Sequence, residues 1–338
     1  MNTRKLILGV ACIAACFILG ACQKEIKIGL LMDSFIQERW TKDKDVFMEK
    51  VRDLGGVVVT ETAEGDPQKQ YDQAKKLLDE GIRVLVIVPV DQNDAARIVT
   101  LAHKYKVPVI SYDRLIRNCN LDMYISFDNE EVGRLQADYL TRGCPKGNYA
   151  IIGGATSDNN SFMMKIGQMN VLSPLIANGD IQVVYDQFVE KWDKEEGYQK
   201  MKECLAKNRK VDAVLAANDD LATGVIRALE EADLDGKVLV SGEDAELLAC
   251  QRIVSGTQAM TVYKPIEAIA NRAAELAFRL ASGESCGNIN LSLNNGKRMV
   301  PSVLLPPMVV NRETIKLTVV ADGYLQENNI YKADELKK

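Results

Sequence analysis

The segment that decides the fold is VLVIVPVDQNDAARIVTLAHKYKVPVISYD, which spans residues 84–113. Residues 84–88 form a continuous apolar run, which is typical of a strand buried on both faces of a parallel sheet. A polar turn then leads into a predicted helix over residues 94–105. A second short strand over residues 109–113 closes the unit. Strand, helix and strand in this order predict a layer of parallel strands covered by helices.

The second strand ends on a carboxylate, Asp113, that is followed at once by a guanidinium, Arg114. In open α/β sheets, ligands bind just beyond the carboxyl ends of the strands. The pair is therefore a candidate for ligand binding. Taken alone, it fits equally well a pair of charges that solvates a loop.

The same alternation continues on both sides of this segment. Further strands are predicted at 26–32, 57–60, 149–154, 181–184, 211–216 and 238–240. Further helices are predicted at 43–54, 66–81, 162–176, 195–207, 222–232 and 266–280. Helix boundaries follow local signals such as Asp66-Pro67 at a start and Gly81 at an end. The chain therefore predicts an α/β protein with doubly wound parallel sheets.

Residues 211–244 repeat the outline of residues 84–113: strand, polar turn, helix, and a strand that ends on a carboxylate. Asp244 then corresponds to Asp113, and the pattern indicates an internal duplication into two similar lobes. If the lobes face each other, the two carboxylates line one cleft. The late helix at 266–280 and a last strand near 303–305 must be shared, which predicts several chain crossings between the lobes, as in a hinge.

Residues 1–21 differ in kind from the rest. Arg4 and Lys5 precede an apolar run that is too short to span a bilayer comfortably, so residues 1–21 are predicted to be an export signal. Small residues lead to Cys22 in the order of a bacterial lipobox, which predicts lipidation of Cys22 and a membrane anchor. The alternative is an ordinary cleaved signal followed by a chance cysteine.

Composition excludes several other classes. Apolar residues make up 47% of the 338 residues and charged residues 26%, which is typical of a globular chain. Without residues 1–21 the chain carries 40 basic and 47 acidic side chains. It is therefore acidic, and it has no basic tract of the kind that would indicate nucleic-acid binding. Five widely spaced cysteines remain beyond Cys22, without a CxxC pair, which argues against a disulfide framework and a zinc site.

Catalytic machinery is also missing from the sequence. His103 is the only histidine, so neither a Ser-His-Asp triad nor a usual zinc site can be assembled. Gly153-Gly154 follows a strand but lacks the other residues of a nucleotide loop. Asp113 and Asp244 could serve a glycosidase, but nearby Arg114 and Lys264 should lower their pKa values and favour hydrogen-bond acceptors. We therefore expect no catalytic residue, metal or cofactor.

The polar side chains at the predicted strand ends suit a sugar instead. Each sugar hydroxyl both donates and accepts, and carboxylates, cationic groups and amides together can satisfy a ring of hydroxyls. The only two tryptophans lie in polar sequence surroundings that are poor core contexts, so we favour a role in covering a sugar ring over core packing. The candidate ligand-binding residues are Arg39, Trp40, Asp113, Arg114, Asn160, Trp192, Asn218, Asp244 and Lys264.

Five motifs support a specific resemblance between about Ile26 and Gly323, with their spacings kept almost throughout. The chain resembles the D-xylose-binding proteins of bacterial ABC importers, which belong to the type I periplasmic binding proteins. The motifs are Glu38-Arg39-Trp40, Tyr112-Asp113-Arg114, residues 124–130, Asp158-Asn159-Asn160 and residues 261–265.

The resemblance implies that the charged and amide candidates hydrogen-bond a pentose and that Trp40 and Trp192 sandwich its ring. It implies one lobe of residues 26–127 plus 264–302, a second of 128–263 plus 303–325, and a polar tail at 326–338. Two features depart from the family: Glu243 replaces a usual glutamine, and the lipobox cysteine implies an anchored protein.

The expected function is a monomeric, non-enzymatic receptor in the periplasm or cell envelope, anchored through Cys22. It would bind a monosaccharide, with D-xylose as the first expectation, and deliver it to a membrane permease driven by a separate ATPase. Alternatives are a receptor for another pentose or hexose, or one that reports to a membrane sensor kinase. A lipidated N terminus disfavours a transcriptional regulator, and the missing acid–base groups disfavour an enzyme.

Overall fold

The computed structural model describes residues 25–35, 39–207, 210–289 and 291–331. The predicted signal at 1–21 and the predicted lipidation site Cys22 lie outside the described residues. Within these ranges, none of the helices combines the length and the apolar character needed to cross a membrane.

Thirteen strands, ten α-helices and one short 3-10 helix (Ile315–Leu317) occur in the described part of the chain. The strands are β1 (Ile26–Met32), β2 (Gly56–Thr62), β3 (Val84–Ile87), β4 (Val109–Tyr112), β5 (Met123–Phe127), β6 (Gly147–Ala155), β7 (Ile181–Val189), β8 (Ala213–Ala216), β9 (Leu239–Val240), β10 (Thr261–Tyr263), β11 (Leu291–Asn294), β12 (Met299–Leu305) and β13 (Met308–Val310). The helices are α1 (Arg39–Asp53), α2 (Pro67–Asp79), α3 (Ala96–Lys104), α4 (Asn129–Gly143), α5 (Asn159–Ala177), α6 (Lys194–Lys207), α7 (Asp219–Glu230), α8 (Leu247–Ser255), α9 (Ile266–Ser282) and α10 (Glu327–Ile330).

These strands form two main sheets with the same winding. The first sheet has the order β11-β12-β5-β4-β3-β1-β2, and the second has the order β7-β6-β8-β9. All neighbours are parallel except β11, which runs antiparallel to β12. In each sheet, the strand that comes first along the chain pairs with the next two: β1 with β2 and β3, and β6 with β7 and β8. The predicted doubly wound duplication is therefore confirmed. We call the parts built on the two sheets the first and second halves.

The chain returns from the second half to the first through α9. The buried face of α9, including Ile269 and Ala273, packs with Ile28 of β1 in one hydrophobic core. Strand β12 then pairs with β5, with Ser302 opposite Tyr124 and Leu305 opposite Phe127. The placement of residues 303–305 in the second lobe was therefore wrong, because this strand completes the first sheet before the chain crosses again.

The C-terminal segment is not simply a polar tail. Residues 327–330 form α10, and Ile330 is buried in a cluster with Ala245, Cys250 and Val254. One apolar residue among polar neighbours gives too weak a pattern to predict a helix, yet it suffices to seat a single turn against α8. The polar tail from residue 326 stays a prediction, with Ile330 as a buried apolar exception among the described residues.

Helices α4 and α5 contact each other through two glycines. A Cβ atom on Gly133 would lie 1.9 Å from the carbonyl oxygen of Met164, and one on Gly167 would lie 1.9 Å from that of Glu130. The two backbones therefore approach closer than any side chain would allow. This contact fixes α5, whose first turn carries part of the site described below.

Gly133→Ala should lower the free energy of unfolding by about 1–3 kcal/mol, because the added methyl group forces the two helices apart. Helix propensity alone would act in the opposite direction, by about 1 kcal/mol. Urea unfolding of the variant measures the difference, with Ser173→Ala on the exposed side of α5 as the control. A Gly133→Ala variant as stable as the parent would contradict the close contact.

Candidate ligand-binding site

A pocket lies where the carboxyl ends of strands from both sheets meet. All nine candidate residues from the sequence line it, together with three others. Its lining residues are Arg39, Trp40, Asp113, Arg114, Asp158, Asn160, Met164, Trp192, Asn218, Glu243, Asp244 and Lys264. The structure thus brings residues that are far apart along the chain into one place, while their role as ligand contacts stays a prediction.

Asp113 and Asp244 are held in the same way in the two halves. Each has a left-handed backbone, with φ of 62° and 92° respectively, a conformation that is uncommon outside glycine. The backbone N–H of Asp113 donates to Ile125 of β5 over 2.8 Å, and that of Asp244 donates to Val262 of β10 over 2.8 Å. A sharp turn pinned to the next strand therefore presents each carboxylate at the pocket.

The guanidinium of Arg39, at the start of α1, joins the two carboxylates. It lies 3.3 Å from Asp113, 3.0 Å from Asp244 and 3.3 Å from Asp43. The hydroxyl of Tyr112 donates to Asp43 as well. Burial would lower the pKa of Arg39, but the three carboxylates outweigh it and raise that pKa well above its ordinary value. Arg39 is therefore a permanent cation between the halves.

The ammonium of Lys264 is shared among three carboxylates. Its Nζ lies 2.9 Å from Glu243, 3.2 Å from Asp244 and 3.9 Å from Asp113. Burial and the nearby Arg39 act to lower the pKa of Lys264, and the carboxylates more than reverse this. Burial likewise acts to raise the pKa of Asp113, but Arg39, Lys264 and Arg114 hold it below its ordinary value. Asp113 is therefore ionised and acts as an acceptor.

Arg114 bridges the halves at a second point. Its Nη1 lies 2.6 Å from Asp33 at the end of β1, and its Nε lies 3.0 Å from Asp158, which caps α5. Burial raises the pKa of Asp158 to about 6 although Arg114 opposes the shift. Both carboxylates fix the plane of the guanidinium, so Arg114 is a rigid part of the pocket wall.

Three neutral polar atoms of the pocket lining are buried and have no hydrogen-bond partner among the described residues. They are Oδ1 of Asn160, Nε1 of Trp192 and Nδ2 of Asn218. The opposite ends of the amides are fixed: Asn160 donates to the Asp113 carbonyl over 3.2 Å, and Asn218 accepts from the Leu221 N–H over 3.0 Å. Unpaired buried polar atoms cost free energy. One acceptor and two donors are thus available to a polar ligand.

The two tryptophans differ in their surroundings. Trp40 is only 2% exposed and packs in the core of the first half, while the guanidinium of Arg39 lies 4.5 Å from its ring centre. The expectation that it would serve binding rather than core packing was too narrow, because Trp40 does both: it fills the core and walls the pocket. Trp192 is half-buried and lies against Gly154.

Gly153-Gly154 therefore has a packing explanation in place of the weak nucleotide-loop pattern. A Cβ atom on Gly154 would lie 2.0 Å from the Trp192 ring, and one on Gly153 would lie 2.7 Å from the Phe188 ring. The missing side chain at residue 154 lets the indole lie directly on β6.

A second set of contacts joins the halves outside the pocket. Gln92 donates from its backbone N–H to the Ser157 carbonyl over 2.8 Å and from its side chain to the Thr156 carbonyl over 2.9 Å. Arg117 donates to Asn159 over 2.9 Å. We call Gln92 and Arg117 with residues 156–159 the rim contacts.

Comparison with known proteins agrees with this geometry. A model of the periplasmic binding protein domain matches residues 28–285. The chain belongs to the periplasmic binding protein family. It is 45% identical over 312 residues to a D-xylose-binding periplasmic protein of Haemophilus influenzae, and the match covers 92% of this chain and 94% of the relative. It is 44% identical over 308 residues to a D-xylose-binding periplasmic protein of Escherichia coli, and the match covers 91% of this chain and 93% of the relative.

Solved structures of this family show the same fold. A carbohydrate transporter solute-binding protein from Chloroflexus aurantiacus, in complex with D-glucose, is 28% identical with a TM-score of 0.83, and the match covers 90% of this chain and 98% of that one. An ABC transporter solute-binding protein from Clostridium phytofermentans with β-D-glucose is 27% identical with a TM-score of 0.83, covering 90% and 100%. The type I fold predicted for this periplasmic binding protein is confirmed.

Sequence reasoning missed several residues of this binding protein in the pocket, in the rim contacts and around Arg114. Asp33 and Asp158 could have been found, because each follows a predicted strand and could neutralise Arg114. Met164 and Gln92 gave no such signal, since their positions depend on how α5 and the β3–α3 turn sit against each other. These contacts arise only from the packing of the two halves.

Gly154→Ala should displace the Trp192 indole and leave the rest of this binding protein folded. Quenching of tryptophan fluorescence by acrylamide should increase, because Trp40 stays buried and Trp192 gains exposure. Gly153→Ala is the matched control, since its methyl group meets Phe188 instead. Equal quenching in both variants would show that Gly154 does not position the indole.

Proposed function

We propose that this periplasmic binding protein is a receptor that closes two lobes around a monosaccharide, with D-xylose as the preferred ligand. The observation that carries the proposal is the trio of neutral, unpartnered buried polar atoms on Asn160, Trp192 and Asn218 beside the ionised groups of the pocket. Ligand hydroxyls can donate to Oδ1 of Asn160 and accept from Nε1 of Trp192 and Nδ2 of Asn218. Several hydroxyls at fixed spacing around a ring would satisfy them together.

The aromatic lining supports a ring-shaped ligand. Trp40 and Trp192 lie on different halves of the chain and both line the pocket. Their flat faces can cover the C–H surfaces of a pyranose while the polar groups bind its rim. The first lobe would comprise residues 26–127 and 264–305 and the second residues 128–263 and 306–325, so ligand contacts from both lobes form only on closure.

The choice of D-xylose rests on similarity. The two relatives at 44–45% identity are both described as D-xylose-binding. A multiple sugar-binding protein of Azospirillum brasilense is 31% identical, so a broader sugar range is the alternative that a ligand panel must separate. The absence of a histidine near the pocket, His103 being on α3, favours binding over turnover.

Delivery to a membrane permease with a separate ATPase is the proposed use of the bound sugar, because a solved relative is described as an ABC transporter solute-binding protein. The proposed location is the periplasm or cell envelope. Lipidation of Cys22 would anchor a monomeric receptor to a membrane. A receptor that reports to a sensor kinase would use the same pocket.

Titration of residues 23–338 with a panel of pentoses and hexoses tests the ligand. Tryptophan fluorescence should change on addition of D-xylose, with weaker or no response to hexoses. Asn160→Ala and Asn218→Ala should each weaken binding by about 5- to 150-fold, since a lost buried hydrogen bond costs about 1–3 kcal/mol. Asn170→Ala on the exposed side of α5 is the control. No response to any sugar would refute the proposal.

Gln92→Ala tests closure, because Gln92 makes rim contacts but does not line the pocket. Loss of its side-chain hydrogen bond removes about 0.5–1.5 kcal/mol from the closed form, so affinity should fall about 2- to 12-fold for every sugar that binds. Gln199→Ala, an exposed glutamine of α6, should change nothing. If Gln92→Ala altered the preference among sugars, Gln92 would have to act on the ligand directly.

A further inference from the structure

Carboxylates outnumber cations in the buried cluster that joins the two halves. Resting on the proposed function, we propose that closure around the sugar takes up one proton and that Glu243 holds it. Glu243 then determines how sugar affinity depends on pH, although the sugar itself carries no charge.

The first half contributes three of the charges. Arg39 lies within 3.3 Å of both Asp43 and Asp113, and these two carboxylates leave the group with a formal charge of −1. A group of the same kind follows β9 and β10 of the second half.

In this second group, Lys264 lies 2.9 Å from Glu243 and 3.2 Å from Asp244, which again leaves −1. Lys264 directly follows β10, at the point where the chain crosses between the halves. Counting it with the first half would leave the total formal charge of −2 unchanged.

Closure brings all of these charges together. Arg39 reaches Asp244 over 3.0 Å, and Lys264 reaches Asp113 over 3.9 Å. The six residues are between 1% and 8% exposed, so water cannot screen the remaining formal charge of −2. Like charges in a buried site favour protonation of one carboxyl group. A proton taken up on closure removes half of the excess charge.

Glu243 is the carboxylate with the fewest stabilising partners. Asp113 and Asp244 each contact both Arg39 and Lys264, whereas Glu243 has an ion pair with Lys264 alone. Burial raises the pKa of Glu243 to about 8, with Asp244 and Asp113 adding to the shift and Lys264 opposing it. Burial also raises the pKa of Asp43, but Arg39 and a hydrogen bond from Tyr112 oppose that shift.

The neighbouring acidic residues do not account for the same proton. Asp219 faces Glu243 only through its backbone N–H. Burial raises the pKa of the Asp219 carboxyl group to about 7. This carboxylate accepts hydrogen bonds from Gln258 and Thr261. These partners all lie in the second half, so closure leaves Asp219 unchanged. Asp158 faces Arg114 across the halves and has a pKa of about 6, so it contributes little at neutral pH.

Two further acidic residues of the second half lie near Asp244. Burial raises the pKa of Asp220 to about 6 and that of Glu246 to about 9. The charges that act on both carboxyl groups, Asp244 and Arg252 among them, belong to the second half as well. Closure therefore brings no new charged partner to either group, and neither accounts for the proton.

The sign of the pH effect follows from the two states of Glu243. On opening we expect its carboxyl group to meet water and to titrate near its ordinary pKa of about 4.3. In the closed form it keeps its proton up to about pH 8. Between these values closure binds a proton, so sugar affinity should fall as pH rises, by at most about tenfold per pH unit. Above the closed-form pKa the dependence should level off.

Isothermal titration calorimetry with D-xylose near neutral pH, in two buffers of different ionisation enthalpy, measures the uptake directly. We expect close to one proton per bound sugar for the parent protein. Glu243→Gln should still bind sugar, take up no proton and show a nearly flat pH profile. Glu195→Gln, which changes an exposed glutamate of α6, is the matched control and should behave like the parent.

Each outcome separates this inference from the proposed function. If no sugar binds the parent, the proposed function fails; if sugar binds without proton uptake, the role of Glu243 fails and the receptor function stands. Proton uptake that persists in Glu243→Gln would assign the proton to another group. Circular dichroism checks that this variant folds; if it does not, the proton count of the parent still decides whether sugar binding takes up a proton.

Discussion

The arrangement of the two halves depends on the ion pairs of the Arg39 guanidinium. This group binds carboxylates that follow the corresponding strands of two sheets, Asp113 and Asp244. Each carboxylate is in turn held by a left-handed turn whose N–H bonds to the next strand. The duplication therefore places two equivalent anions opposite each other, and a cation must lie between them. Without it, closure would bring two buried negative charges together.

Charge balance around this contact explains the rest of the polar site. Lys264 supplies a second cation from the point where the chain leaves β10 for α9 and the first half. Arg114 performs the same bridging between Asp33 and Asp158. Three cations thus link the halves through carboxylates from both, and these ion pairs orient each guanidinium or ammonium in the pocket wall.

The sequence predicted the alternation of strands and helices, the duplication and the nine pocket residues, because each rests on a local pattern or on the resemblance to a family. Pairing of β12 with β5 could not be predicted, since residues 303–305 give the same apolar pattern in either half. The dual role of Trp40 was missed for a related reason: polar neighbours along the chain say little about which face of α1 is buried. Gly154 needed the position of Trp192, far along the chain, before its role was visible.

The charged residues of the pocket already pair with one another, so they alone offer little basis for discrimination among sugars. Among the described residues, the neutral lining atoms that lack a hydrogen-bond partner belong to Asn160, Trp192 and Asn218. A ligand gains most where it satisfies these atoms, because elsewhere each new hydrogen bond replaces an existing ion pair. When a sugar leaves one of these three atoms without a partner, the desolvation cost of that atom remains and weakens binding. Selectivity should therefore lie in the amides and the indole, while the ion pairs set how firmly the two halves close.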